Sequence, residues 1–215
     1  MAVSKNGKIL YRKENADGFS HSVSLGTFVD EAIRQVENQL DAVAVSEGPG
    51  SYTGLRIGVS LTKGLCYGLK IPMIAVPTLK ILTAGLLSKV DFQNKNMKFC
   101  PMIDARRMEV YAAVYDEFLH EVEPTQSHIV DENFLENYLA ESPVVFFGDG
   151  SGKCKKTIQS THAIFVDDIY PSASAMVQLA EESFLQKQFV DIAYFEPFYL
   201  KEFQATVPKN LLKIV

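Results

Sequence analysis

At residues 48–58 the sequence reads Gly48-Pro49-Gly50-Ser51-Tyr52-Thr53-Gly54-Leu55-Arg56-Ile57-Gly58. An apolar run at residues 41–45 precedes this glycine-rich segment, and a helical pattern over residues 55–69 follows it. A strand, a glycine-rich turn and a helix in this order are the usual setting of a phosphate-binding loop. The segment is not a Walker A loop, because it lacks the Gly-Lys-Ser/Thr of that motif. It is not a GxGxxG fingerprint either, because Thr53 occupies the position of the third glycine. Free N–H groups at the helix start can donate hydrogen bonds to an anion, but no residue of the segment requires a bound anion.

The helix that follows this loop is unusually rich in small residues. Gly54, Gly58 and Thr62 recur at a spacing of four, which places them on one face. Each glycine inside a helix costs about 1 kcal/mol relative to alanine, so another interaction must stabilise the helix. Two interpretations remain open at this point. The small residues allow close packing on the chain's own sheet, or they allow a helix of another subunit to cross at short distance.

Strand and helix patterns alternate on both sides of the loop. Asn6-Gly7 predicts a hairpin, residues 25–40 a helix, residues 71–76 a strand and residues 78–88 a helix. The polar segment 90–98 predicts a domain boundary. Beyond it the pattern predicts strands at 99–104, 109–116 and 144–147, and helices at 134–140 and from about Ser172. The predicted class is α/β, with domains at 1–90 and 98–215, each a mixed sheet flanked by helices.

Composition limits the cellular setting. The chain has 215 residues, a formal net charge of −5, no secretory signal pattern and no apolar stretch long enough for a bilayer. The three cysteines, Cys66, Cys100 and Cys154, are far apart in sequence and form no CxxC motif, so we expect buried, reduced thiols. These features predict a cytoplasmic protein that does not bind membranes.

Catalytic patterns are absent from the sequence. None of the four histidines is paired at helical spacing or placed beside a cysteine, and no Gly-x-Ser-x-Gly elbow occurs. Asp104 beside Arg106 and Arg107 is typical of a structural pair. Glu47, at the end of a strand, is a possible base without an evident partner. We therefore predict no catalytic residue, no metal site and no cofactor.

Several segments together resemble one protein family. The run 48–58 continues through Lys63-Gly64-Leu65 and Ile71-Pro72 to Val76-Pro77-Thr78-Leu79. Further matches follow in order, at Ile103-Asp104-Ala105-Arg106-Arg107, Glu109-Val110-Tyr111, Gly148-Asp149-Gly150, Pro171-Ser172-Ala173 and Pro197-Phe198-Tyr199-Leu200-Lys201. In these segments the chain resembles the TsaB (YeaZ) family over nearly its whole length. The residues that correspond to the family loop are Gly48, Pro49, Gly50, Ser51, Thr53 and Arg56.

The resemblance implies a fold and a role. The fold would be actin-like, with two ribonuclease H-like domains and the last residues, about 195–215, packing back on the N-terminal domain. The role would be that of a non-catalytic partner that binds and activates a TsaD-type catalytic subunit and works with a TsaE-type ATPase. The complex adds threonylcarbamoyl to the adenosine next to the anticodon of tRNAs that read codons starting with A. Because this chain is acidic, another subunit would supply most of the charge that binds tRNA.

The resemblance also implies where partners bind. Alone, the chain would form a homodimer; with the catalytic subunit it would form a heterodimer through its two N-terminal helices. The predicted interface residues are His21, Leu25, Phe28, Val29, Ile33, Gly54, Gly58 and Thr62. Family members begin with a strand and an Asp-Thr-Ser-like turn that this sequence lacks, so we expect a natural chain that starts upstream of Met1.

Two other functions compete with this interpretation. An actin-fold small-molecule kinase would need acidic residues on glycine-rich loops to hold a Mg²⁺–nucleotide, and only Asp104 and Asp149 are candidates. A protease would need a paired nucleophile and base, and the sequence offers none.

Overall fold

The computed structural model describes residues 1–15, 21–37, 39–92 and 96–201, with the backbone alone for 21–24. The described strands are β1 (Ala2–Lys5), β2 (Lys8–Arg12), β3 (Val43–Gly48), β4 (Met73–Pro77), β5 (Lys98–Asp104), β6 (Glu109–Tyr115), β7 (Glu121–Ile129), β8 (Val144–Phe147) and β9 (Ala163–Val166). The α-helices are α1 (His21–Gln35), α2 (Tyr52–Leu69), α3 (Thr78–Leu87), α4 (Glu136–Glu141) and α5 (Ala173–Leu185). None of these helices combines the length and the apolar character that a membrane crossing requires.

The strands form one large sheet and two strand pairs. β1 and β2 form an antiparallel hairpin, and β3 pairs with β4 in parallel. The large sheet has the order β7-β6-β5-β8-β9. Strands β5, β8 and β9 pair in parallel, β6 pairs with β5 antiparallel, and β7 pairs with β6 antiparallel. The predicted α/β class, with a mixed sheet and flanking helices, is confirmed.

The first hairpin forms for the reason that its sequence suggests. Asn6 and Gly7 both take a left-handed backbone, with φ of 51° and 73°, as an Asn-Gly hairpin turn requires. Helix α5 holds the turn from one side, because Gly7 N donates to Glu181 Oε1 at 2.9 Å. In return, Gln178 Nε2 donates to Gly7 O at 3.2 Å. The beginning of the described chain is thus fastened to its last helix.

Helix α3 is the element on which both halves of the chain pack. One face carries Leu79, Leu82 and Leu86, which join a core with side chains of the large sheet. Ile81 joins a second core, which contains β4 residues and Leu179 of α5. The division at residues 90–98 stays a prediction, and the contacts of α5 with β1, β2 and β4 cross it.

The sequence pattern did not predict two strands of the large sheet, β7 and β9. β7 is mostly exposed and carries Glu121, Glu123 and Pro124, so it lacks the alternation of a half-buried strand. β9 is only four residues long. Helix α2 begins at Tyr52, three residues before the predicted start. The expectation of buried, reduced thiols is confirmed, since Cys66, Cys100 and Cys154 are all buried and free.

Candidate interaction site at the glycine-rich loop and the first two helices

The glycine-rich loop is held by the chain's own groups. Gly48 N donates to Thr78 Oγ1 at 3.1 Å, and Thr78 Oγ1 also lies 2.6 Å from Ser46 Oγ. Ser51 caps α2, with its hydroxyl accepting from Gly54 N at 3.4 Å and its carbonyl accepting from the next turn of the helix. The N–H groups of Gly48 and Gly54 are therefore already engaged, and Pro49, which has no N–H, is buried. The geometry favours a structural loop over a phosphate cradle.

A C-terminal segment lies across this loop. Phe198 N donates to Glu47 O at 2.7 Å, and a Cβ atom on Gly48 would lie 2.6 Å from Phe198 O. Gly48 also has φ of 120°, so a side chain is excluded there on two grounds. The Tyr199 ring lies 5.0 Å from that of Tyr52. Phe198 and Tyr199 thus contact the loop, while residues 202–215 of the predicted returning segment lie outside the described residues.

Glu47, whose backbone carbonyl accepts from Phe198 N, places an acidic side chain at this crossing. Burial raises the pKa of its carboxyl above the ordinary value. Its carboxylate makes no hydrogen bond or ion pair with any residue of the described ranges, so nothing there orients it as a general base. Thr53 and Arg56 are exposed on the first turns of α2. Arg56 Nη1 donates to Tyr52 OH at 3.2 Å.

The small-residue face of α2 is partly exposed at Gly54 and Gly58 and buried at Thr62. A Cβ atom on Gly54 would meet only Ser51, and one on Gly58 would lie 3.7 Å from Val45 Cγ2 of β3. Thr62 is 6% exposed, so it packs inside the chain. Packing on the chain's own sheet thus accounts for the inner end of this face, while Gly54 and Gly58 remain half-buried at its rim.

Helix α1 packs mainly on α2 and leaves apolar side chains partly uncovered. Ala32 is 2% exposed and forms the covered side. The apolar positions of α1 that were predicted for the interface are only half-buried: Leu25, Phe28, Val29 and Ile33. Lys13 lies over the Phe28 ring, with Nζ 4.6 Å from the centroid. The side chain of His21 lies outside the described part of the chain.

Asp104 and Asp149, the two acids on the later glycine-rich loop and its neighbouring strand, are held by hydrogen bonds and an ion pair. Asp149 Oδ1 accepts from Asp104 N at 3.0 Å, and Asp104 forms an ion pair with Lys153. Partial burial opposes ionisation of Asp104, but hydrogen bonds from Lys153 and from Arg106 N hold the pKa of this carboxyl below its ordinary value. Within the ranges that the structure describes, no group of three His, Cys, Asp or Glu side chains is arranged for a metal ion.

Comparison with known proteins identifies the family. The model of the family described as "TsaD: tRNA N6-adenosine threonylcarbamoyltransferase" matches residues 18–209. The tRNA threonylcarbamoyladenosine biosynthesis protein TsaB of Bacillus subtilis is 30% identical over 207 residues, covering 90% of this chain and 82% of that protein. The Escherichia coli protein of the same name is 30% identical over 168 residues, covering 75% and 71%.

A solved structure of a similar protein supports the assignment of the fold. It is described as an uncharacterized protein with similarity to peptidase YEAZ from Pseudomonas aeruginosa. It superposes with a TM-score of 0.79 at 24% identity, covering 93% of each chain. The fold is accordingly actin-like, of the ribonuclease H-like kind. On these grounds the chain belongs to the TsaB (YeaZ) family of tRNA threonylcarbamoyladenosine biosynthesis proteins.

Proposed function

We propose that this chain is a non-catalytic partner subunit that binds and activates a TsaD-type catalytic subunit in the modification of tRNA. The observation that carries the proposal is the half-buried apolar flank of α1, formed by Leu25, Phe28, Val29 and Ile33. We name this set the α1 flank. Apolar side chains left half-covered along one helix are typical of an interface, since burial on association stabilises the complex.

The choice of partner rests on likeness of fold. The TsaD family model matches most of this chain, so a TsaD-type subunit can present an equivalent pair of helices. Two similar surfaces related by approximate two-fold symmetry can bury the same flank. The same reasoning applies to a second copy of this chain, so we propose a homodimer that gives way to the heterodimer. Because Thr62 is buried within the chain, we leave it out of the interface.

The remaining parts of the proposal follow from the family. The active complex would include a TsaE-type ATPase, would act in the cytoplasm and would add threonylcarbamoyl to the adenosine next to the anticodon of tRNAs that read codons starting with A. The kinase alternative finds no support in the geometry. Of its two candidate acids, Asp104 is paired with Lys153, and Asp149 accepts a hydrogen bond from the Asp104 backbone.

The proposal is tested by a charge placed on the α1 flank. Val29→Arg should weaken pairing with the TsaD-type subunit by about 2–5 kcal/mol, because an unpaired charge would be buried at the interface. The matched control is Thr27→Arg, which adds the same charge to the same helix. Thr27 is exposed and lies two positions away, so it points to another side of α1. Calorimetry or sizing of the mixed subunits measures the difference.

The two variants together make the outcome decisive. Loss of pairing in Val29→Arg, with the control unchanged, supports the α1 flank as the interface. If both variants pair like the unmodified chain, this surface is wrong. If the unmodified chain and the TsaD-type subunit do not associate at all, the proposed function itself fails. Circular dichroism of each variant confirms that the fold is intact.

A further inference from the structure

The turn between β5 and β6 has an unusual sequence for its backbone. Arg106 and Arg107 both take the left-handed region, with φ of 74° and 51°. Asparagine and glycine suit consecutive positions of this kind best, and the chain uses Asn6-Gly7 in its first hairpin. Arginine has a Cβ that clashes mildly in this region. Both arginines are exposed, so side-chain packing does not offset that cost.

The charges around this turn leave the two arginines available. Two of the acidic neighbours have cations of their own, since Asp104 pairs with Lys153 and Glu109 pairs with Lys201. The third, Asp149, accepts a hydrogen bond from Asp104 N and forms no ion pair with a described residue. Lys153 Nζ also donates to Glu109 O at 2.7 Å. Within the described ranges, the guanidinium groups of Arg106 and Arg107 make no hydrogen bond or ion pair. In a chain with a formal net charge of −5, this edge has four cationic side chains (Arg106, Arg107, Lys153 and Lys201) beside three carboxylates (Asp104, Glu109 and Asp149), a small positive surplus.

We infer that Arg106 and Arg107 bind the phosphate backbone of RNA. Guanidinium groups recognise phosphate oxygens through paired N–H donors, and two adjacent ones can contact neighbouring phosphates. Strained backbone at exposed positions is a recurring mark of functional sites. The inference rests on the proposed function, which brings a tRNA to the complex, and adds that this subunit itself touches the RNA.

The residues of the turn itself favour RNA over a protein partner. Protein interfaces usually have an apolar core, whereas nucleic-acid interfaces are polar and positively charged. Among the described residues, the large apolar side chains that are exposed include none between positions 103 and 109. The β5–β6 turn also follows the carboxyl end of β5. It lies next to the loop after β8, where Asp149 Oδ1 accepts a hydrogen bond from Asp104 N. Loops at this edge of an α/β sheet are common ligand sites.

The test replaces the arginines without harming the turn. Arg106→Asn with Arg107→Gly removes both charges and installs the residues that this backbone prefers, so the variant should melt at the same or a higher temperature. The matched control is Lys70→Asn with Lys187→Gly. Both lysines are exposed and left-handed, with φ of 57° and 56°, so charge and backbone class change equally.

Binding is measured on the pair formed with the TsaD-type subunit, by fluorescence anisotropy of unmodified tRNA over a range of salt concentrations. Loss of two phosphate contacts should reduce the slope of log affinity against log salt by about 1.4–1.8 in magnitude. Affinity at low salt should fall roughly tenfold. The lysine control should keep the slope of the unmodified pair.

The outcomes separate this inference from the proposed function. Equal slopes for the arginine variant and the lysine control overturn the RNA contact while leaving the pairing proposal in place. Loss of pairing in the arginine variant also overturns it, because the arginines would then bind the protein partner. If the unmodified pair does not form, the titration is repeated on this chain alone. There a slope that depends on the arginines still supports the contact, and one that does not overturns it.

Discussion

Gly48 shows how one residue sets the geometry of the loop. Its φ of 120° and the approach of Phe198 O, 2.6 Å from where a Cβ would stand, leave room only for hydrogen. The same residue also donates its N–H to Thr78. Gly64 is the opposite case, since it occupies an exposed position of α2 with nothing within 4 Å of its Cβ position. The loop therefore requires glycine at position 48, whereas no described contact requires it at position 64.

At the residue scale we expect opposite effects from two Gly→Ala changes. Gly48→Ala should lower the free energy of unfolding by about 2–4 kcal/mol, because it adds backbone strain and displaces the segment at 195–201. Gly64→Ala should raise it by about 0.5–1 kcal/mol, since alanine is the better helix former. Urea unfolding followed by circular dichroism measures both. A Gly48→Ala protein as stable as the parent would show that the segment at 195–201 can move away from position 48 at little cost in free energy.

At the scale of elements, the stability of α5 depends on how its N-terminus is capped. Ser172 caps it, with the side-chain oxygen accepting from Ala175 N at 3.2 Å. Two residues later, the Ser174 hydroxyl oxygen is buried and has no hydrogen-bond partner among the described residues. One serine thus satisfies a helix donor, whereas the other carries an unsatisfied polar atom.

These two serines give a paired prediction. Ser172→Ala should destabilise the protein by about 1 kcal/mol through loss of the cap. Ser174→Ala should be neutral or stabilising by up to about 2 kcal/mol, because it removes a buried hydroxyl without a partner. Thermal unfolding of both variants in one buffer makes the comparison. Equal losses in the two variants would mean that Ser174 has a partner that the described residues do not include.

At the scale of the whole molecule, α3 couples the two halves. Leu82 is fully buried, and its core contains Phe99, Tyr115 and Val145 of the large sheet. The neighbouring Ile81 packs with β4 and α5. Because one helix belongs to both cores, we expect the chain to unfold as one cooperative unit despite its two predicted domains.

Leu82→Ala tests that coupling. The cavity should lower the free energy of unfolding by about 2–5 kcal/mol and keep a single transition. Leu185→Ala, at a position 77% exposed, is the matched control and should change stability by less than about 0.5 kcal/mol. Far-UV circular dichroism and tyrosine fluorescence should give coincident curves, since the chain has nine tyrosines and no tryptophan. Separate transitions would show that the halves unfold independently.

Local patterns were sufficient for much of the fold. The Asn6-Gly7 turn, the strand–loop–helix around Gly48 and the cap at Ser172 each depend on neighbouring residues, so their sequence predicts their structure. β7 could not be predicted in this way, because it is an exposed edge strand stabilised by pairing with β6. Its sequence has no alternation to detect. The family, too, was recognisable from the ordered motifs alone.

The candidate site shows the same division between local and distant causes. The sequence by itself determined that α1 is apolar along one flank, that α2 is rich in small residues, and that no catalytic group of familiar pattern is present. Only the tertiary structure decided that Thr62 faces the core, that Phe198 closes over Gly48, and that Lys153 and Lys201 pair with the acids around Arg106 and Arg107. The contacts of Phe198, Lys153 and Lys201 join residues 49 or more positions apart, and sequence periodicity carries information only about neighbours within a few turns or one strand.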